Sequence, residues 1–426
     1  MPQLVVPLSA PEAADPSRFG PKAANLAALD RAGLRTPGGY CIDAEAYRAQ
    51  VRALGLESVA RGVFSATDSP QARRYALQMK LGLMEQPIAS HVLEPLLEAW
   101  RSLCASSEGA ACVVRSSALV EDRRGSSFAG QFETYLGLQE EAEFLIAVRA
   151  CWAALWSTRA LRYMATHDLD PASTAMALIL QPLVAARVAG GGLSCTADGE
   201  MLINATRGLG GSLAQGEVVP DRYVLTGSGD LKESGAGLKY RHMGCVHSAK
   251  ALRTPMFAVR CLEDHEVVEL GRMMKRAEEV IGQAVEIEWA ADARSFKLLQ
   301  ARPLVMQAAT VPDEIWLRHP RLTGHPAGVG WGTGRACVIN CECELARVGP
   351  GDVLVTTVAG PALADILPRV SGVVAELGGS TSHLASLARE RGVPMVLGVF
   401  EATQRIPDGA QVAVDGVAGI VRWMKA

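Results

Sequence analysis

Gly378-Gly379-Ser380-Thr381-Ser382-His383-Leu384-Ala385-Ser386-Leu387-Ala388-Arg389-Glu390-Arg391-Gly392-Val393-Pro394 is the stretch around which the rest of the chain is organised. Two adjacent glycines permit a tight turn, and the Ser/Thr/Ser run supplies N-cap side chains. The Ala/Leu-rich segment predicts a short helix that Gly392 stops. His383 then sits in the first turn of that helix. Unpaired N–H groups and the positive end of the helix dipole disfavour imidazolium there and favour an anion attached to the ring. That suits a histidine that carries phosphate. A histidine that merely helps to cap a helix would be written with the same residues.

Composition narrows the function classes. A chain of 426 residues exceeds one ordinary core, so two or three domains are expected. Its 42 basic and 45 acidic residues leave no positive excess, so neither nucleic acid nor an anionic membrane is expected as a partner. Met1-Pro2-Gln3-Leu4 lacks the basic n-region of a signal peptide, and the most apolar run, Ala175 to Leu193, is broken by Gln181-Pro182 and Arg187. The expected location is cytoplasmic. Ten scattered cysteines favour reduced thiols, and the spacing of Cys337, Cys341 and Cys343 fits no zinc pattern.

The histidine stretch resembles the phosphohistidine motif of the mobile domain in the phosphoenolpyruvate-utilising enzymes, the family of phosphoenolpyruvate synthase, pyruvate phosphate dikinase and rifampin phosphotransferase. That family's pattern is Gly-Gly-x-Thr-Ser-His-x-Ala-x-x-Ala-Arg-Glu, then Gly-x-Pro and a short apolar strand. Each position is filled between Gly378 and Pro394.

The preceding chain extends the resemblance. A short strand, Leu4 to Leu8, precedes Gly20-Pro21-Lys22-Ala23-Ala24-Asn25-Leu26, a turn leading into an amphipathic helix that Gly33 terminates. This is similar to the family's Gly-Gly-Lys-x-x-x-Leu, which implies that Lys22 contacts ATP phosphates; Pro21 replaces a glycine and removes a backbone donor. Residues 52 to 108 read mainly as helices. Val113-Val114-Arg115-Ser116-Ser117-Ala118, Glu121-Asp122 and Ser126-Ser127-Phe128-Ala129-Gly130-Gln131 resemble further family elements. The resemblance assigns Arg115 to the phosphates, Thr134 to a nucleotide-side contact and Ser126 to Gly130 to a phosphate lid. Apolar spacing predicts one long helix from Glu141 to His167, with Trp152 and Trp156 in the core. Met176 to Val184 reads as a buried strand, and the family's Gln-x-Met-Val makes Gln181 and the backbone around Leu183 the adenine candidates. Two departures follow: Gly211 stands where the family usually has glutamate, and Gly191 to Thr196 lacks the family's aromatic.

Glu286-Ile287-Glu288-Trp289, then Lys297-Leu298-Leu299-Gln300-Ala301-Arg302-Pro303, carries the strongest chemistry before residue 310. Strand alternation puts Glu286 and Glu288 on one face, and Gln300 and Arg302 likewise. Paired as a hairpin, these strands would converge two carboxylates, an amide and a guanidinium; a solvated strand face would show the same alternation. The match to the family's Asp-x-Glu and Leu-Gln-x-Arg-Pro implies Glu286 and Glu288 as Mg2+ ligands and Gln300 and Arg302 at the nucleotide, with Glu286 where aspartate is usual.

The expected fold class is α/β (α+β). Residues 1–306 would form an ATP-grasp-like domain in two lobes, about 1–108 and 109–306, followed by a linker, 307–324. A swivelling β/β/α phosphohistidine domain, 325–426, would hold strands at Val353–Thr356, Gly372–Ala375, Met395–Leu397, Val412–Val414 and Gly419–Trp423, with Asp415-Gly416 as a hairpin turn. The resemblance implies ATP and Mg2+ as cofactors, and a phosphotransferase that converts ATP to AMP and phosphate through phospho-His383, with Arg302 also catalytic. The stretch between Arg302 and Gly324 is too short for an acceptor domain of the kind rifampin phosphotransferase inserts, so the acceptor is expected to be an unidentified small molecule at the domain interface or to sit on a separate substrate-binding subunit. The alternative expectation is a phosphocarrier or regulatory ATP-binding subunit that phosphorylates no metabolite itself.

Overall fold

The computed structural model describes residues 3–65, 70–106, 111–121, 132, 134–196, 198–237, 259–304, 316 and 318–424. Two compact units divide the chain: Met1–Ala185 with Lys297–Arg302, and Ala186–Phe296 with Pro303–Ala426.

In the first unit, strands β1 (Val5–Pro7), β2 (Tyr40–Ile42), β3 (Cys112–Ala118), β4 (Thr134–Leu138) and β5 (Met176–Pro182) form an antiparallel sheet in the order β1-β2-β5-β3-β4. Strand β3 is buried along its whole length and the central β5 nearly so, as the apolar run Met176–Leu180 of β5 requires. Helix Pro16–Arg31 is bent at Gly20, whose φ of 76° and ψ of 157° lie outside helical space. A Cβ there would sit 2.5 Å from the Ser117 carbonyl oxygen, so glycine lets the helix meet β3 and brings Lys22 into the first turn beyond the bend.

The helix expected from Glu141 to His167 is two, Glu141–Ala154 and Thr158–Thr166. Ser157 breaks it by accepting the Ala160 N–H on its side-chain oxygen at 3.2 Å, an N-cap that competes with continuation. By length and composition Glu141–Ala165 is apolar enough to cross a membrane, and more than half of its most apolar stretch is buried inside the protein. Trp152 and Trp156 lie in the core, as expected, and the Trp156 indole donates to the Tyr47 hydroxyl at 2.9 Å.

In the second unit, β6 (Val188–Leu193), β7 (Met201–Arg207), β8 (Asp221–Leu225), β9 (Leu231–Gly235) and β10 (Val285–Ala291) run antiparallel in the order β10-β6-β7-β8-β9. Helix Asp264–Ile281 covers one face, and a Cβ on Gly192 would reach Met274 of that helix at 2.4 Å. Pleating turns Gly191 to the other face. Strand β11 (Phe296–Pro303) follows β10 through a turn whose Asp292 carboxylate accepts the Arg294 and Ser295 N–H groups.

Also in this unit, β12 (Arg321–Thr323), β13 (His325–Pro326), β14 (Trp331–Ile339), β15 (Val353–Thr356), β16 (Gly372–Ala375), β17 (Met395–Leu397), β18 (Gln411–Asp415) and β19 (Ile420–Trp423) form one sheet, ordered β12-β19-β18-β14-β15-β16-β17-β13. The β14-β15, β15-β16 and β16-β17 pairs are parallel, and helix His383–Glu390 lies in the β16-to-β17 crossover. The five strands expected here are present. The sheet also takes in β14 and, from the stretch expected as linker, Arg321–Thr323. The expected Asp415-Gly416 turn spans the residues between Asp415 and Ile420, with the Asp415 carboxylate accepting from Val417 and Ala418.

Candidate functional site

Around β3 the first unit gathers the cationic groups expected at phosphates. Arg115 is buried, donating through Nη1 to the Leu299 carbonyl at 2.5 Å and through Nη2 to Gln300 Oε1 at 3.1 Å. Lys22 Nζ donates to the Ser116 carbonyl at 3.1 Å and lies 3.4 Å from the Glu121 carboxylate, which also accepts the Ala118 N–H. Asn25 holds the Ala301 carbonyl at 3.1 Å, which fixes the segment carrying Gln300 and Arg302. Thr134 is exposed and stands opposite Arg115 in the β3–β4 register.

The adenine candidates are engaged by their own unit: Gln181 Nε2 donates to the Gly38 carbonyl at 2.9 Å, and the Leu183 N–H to Ala111 at 2.7 Å. The lid from Ser126 to Gly130 lies outside the described residues, as does Asp122.

In the second unit the histidine stretch folds as its residues predict. Ser382 is the N-cap, accepting the Ala385 N–H at 3.3 Å; His383 is the first helical residue and partly covered; Gly392 has φ of 67° beyond the helix end. This loop is seated on the face of the β10-β6-β7 sheet that the long helix leaves open. Thr381 Oγ1 lies 3.4 Å from Asn204 Oδ1, and a Cβ on Gly191 would fall 2.6 Å from the Thr381 Cβ. The Gly378 N–H donates to the Val218 carbonyl at 3.1 Å.

Cross-strand register puts Glu286 opposite Leu193 and Glu288 opposite Gly191, so both carboxylates share the face that meets Thr381. Glu286 was expected on a metal. Its carboxylate instead accepts the Ser386 hydroxyl at 2.7 and 3.0 Å and the Arg389 guanidinium at 2.9 Å, an ion pair with side chains only 9% and 4% exposed. Arg389 also donates to the Ser380 carbonyl at 2.5 Å and, at 3.3 Å, to Ala327. Nearby His325 has its Nδ1 sealed from water with no hydrogen-bond partner among the described residues; burial, with the positive Arg222, pushes its pKa down to about 4.

These two constellations, arginine and lysine around β3 and a histidine loop on a carboxylate-bearing strand, match the order of known protein families. Residues 16–317 match the model of the pyruvate phosphate dikinase AMP/ATP-binding domain, and residues 348–419 that of the PEP-utilising enzyme mobile domain. The chain belongs to the phosphoenolpyruvate-utilising enzyme family. Within that family it is 31% identical over 465 residues to phosphoenolpyruvate synthase of Pyrococcus furiosus, covering 94% of this chain and 56% of that one. Phosphoenolpyruvate synthase of Pseudomonas aeruginosa is 31% identical over 432 residues, covering 94% and 54%. The chain thus spans a little over half the length of the curated relatives it matches. Among solved structures, the D-alanine-D-alanine ligase from Coxiella burnetii overlaps 55% of this chain and 49% of its own, at 9% identity and a TM-score of 0.23, and carries no weight in the assignment. The mixed α/β class, with an ATP-grasp-like nucleotide domain before a mobile domain, is the one expected for this family member.

Ser386, Arg389 and Asn204 were given no role from sequence. For the first two the signal was present: a serine and an arginine three residues apart lie on one side of a helix whose other residues between His383 and Glu390 are alanine and leucine.

Proposed function

We propose that the chain is an ATP-dependent phosphotransferase of the dikinase type, in which His383 is phosphorylated and passes the group on. The observation that carries this reading is the seating of the His383 loop on the sheet face that bears Glu286 and Glu288. A histidine at a helix start is a competent nucleophile when one ring nitrogen is unprotonated and the other is held by a hydrogen bond. Attack at the β-phosphorus of ATP forms the N–P bond and breaks the bond to the α–β bridging oxygen. AMP leaves, and the pyrophosphorylated histidine loses its γ-phosphate to water before the β-phosphate moves on. Lys22, Arg115, Gln300 and Arg302 would hold and neutralise the phosphates, with Thr134 beside them; Gln181 and Leu183 are the groups proposed at the base.

Mg2+ takes oxygen ligands, usually one or two carboxylates with substrate phosphates, and Glu288 fits that donor set. Glu286 does not fit it in the arrangement described, because Ser386 and Arg389 occupy its carboxylate. When bound, the ion would offset charge on the transferring phosphates.

The acceptor is proposed as a small molecule bound at a domain interface or on a partner subunit, and the setting as cytoplasmic. Phosphorus NMR of the protein with ATP and candidate metabolites tests this. ATP turnover stimulated by a metabolite supports the phosphotransferase. Phosphorylation that stops at one equivalent, and proceeds only when a partner protein is added, supports a phosphocarrier instead.

A further inference from the structure

We infer that Glu286 is a docking latch: a positioning residue that holds the His383 helix on the β10-β6-β7 face through Ser386 and Arg389. The inference rests on the phosphotransferase reading for its purpose but on geometry for its substance. Glu286 and Glu288 share one strand face, yet Glu286 turns both carboxylate oxygens to the histidine helix, accepting from Ser386 on each and from Arg389 on one. Charge-assisted hydrogen bonds from a guanidinium are short and directional, so they fix orientation as well as proximity.

Arg389 is the informative partner. It also holds the Ser380 carbonyl, three residues before His383, and the Ala327 carbonyl. The same guanidinium therefore shapes the histidine loop and reads its seat. Gly191 completes the seat: on the same face, it leaves the space that Thr381 fills, where any side chain would collide. An undocked helix would expose both halves of the pair to water, where each is separately solvated. The contact therefore favours docking without making it irreversible.

Disulfide trapping tests the latch. Thr381 Oγ1 on the loop and Asn204 Oδ1 on β7 lie 3.4 Å apart, so cysteines at these two positions bring their sulfurs close in the docked arrangement. In the full chain carrying Asn204→Cys and Thr381→Cys, oxidation is followed by peptide mapping, with Glu286 intact, with Glu286→Gln and with Ser386→Ala. The latch predicts that Glu286→Gln slows trapping by about tenfold or more, since bonds to a charged group are the stronger ones. Ser386→Ala should slow it less. Affinity for Mg·ATP, measured by calorimetry without the cysteine pair, should be unchanged in Glu286→Gln. Unchanged trapping in both variants, with Mg·ATP affinity falling about tenfold or more in Glu286→Gln, would make Glu286 a metal ligand and overturn the latch. Failure of ATP to label His383 in the otherwise native protein would overturn the proposed function instead; the trapping rates would still decide the latch.

Discussion

Arg302 and Glu288 are proposed to meet the same phosphates from opposite chemical directions, one as a cation beside the transferred group and one through Mg2+. If they do, Arg302→Ala or Glu288→Gln should lower the rate of His383 phosphorylation on the order of 100-fold, the usual loss for one preorganised electrostatic group, while melting temperature changes little. Near-normal rates in both would remove the assignment. His325 makes a separate prediction about stability. Its folded pKa is near 4 against an ordinary 6.5, so between those values the unfolded chain takes up a proton that the folded one refuses. Its contribution is complete above pH 6.5 and is lost as pH falls toward 4, by at most about 3 kcal/mol. Denaturant titrations from pH 7.5 to 4.5 should show a shallower loss in His325→Gln than in the parent; parallel curves would contradict it.

Helix Pro16–Arg31 shows how one residue sets an element. Gly20 combines a left-handed φ with contact against the Ser117 carbonyl, so Gly20→Ala meets both backbone strain and a clash. A loss of about 2 kcal/mol or more is expected in the denaturant midpoint, together with weaker ATP binding through Lys22; a change below about 0.5 kcal/mol would contradict this account. At this scale much was legible in the sequence. The Gly-Pro-Lys turn, the Ser382 cap, the Gly392 stop and the strands β15, β16 and β17 follow from local residue chemistry. Strand β14 was missed because glycines at 332 and 334 interrupt its alternation, and the break at Ser157 because its neighbours keep helical spacing. The Glu286–Arg389 pair joins residues 103 positions apart, and no local pattern encodes such a partner. Alternation left Glu286 either a solvated face or a metal site, and the family resemblance implied the metal; only tertiary placement gives it the Ser386 and Arg389 partners.

For the whole molecule, phosphorylation and onward transfer need His383 at two sites unless nucleotide and acceptor share a cleft. Because Arg321–Thr323 is paired in the sheet, residues 307–320 are left as linker, and fully extended they would reach at most about 50 Å, ample for such movement. A cross-link that locks the docked arrangement should leave His383 phosphorylation intact and abolish transfer onward. Unimpaired transfer in the locked protein would contradict the carrier model.

The most direct test of the dikinase reading is which phosphate His383 receives. With ATP labelled separately at the β and γ positions, the account predicts AMP as the nucleotide product, β-label on an acid-labile phosphoenzyme and no such species in His383→Ala. Release of ADP with γ-label alone reaching the acceptor, or full activity in His383→Ala, would contradict it.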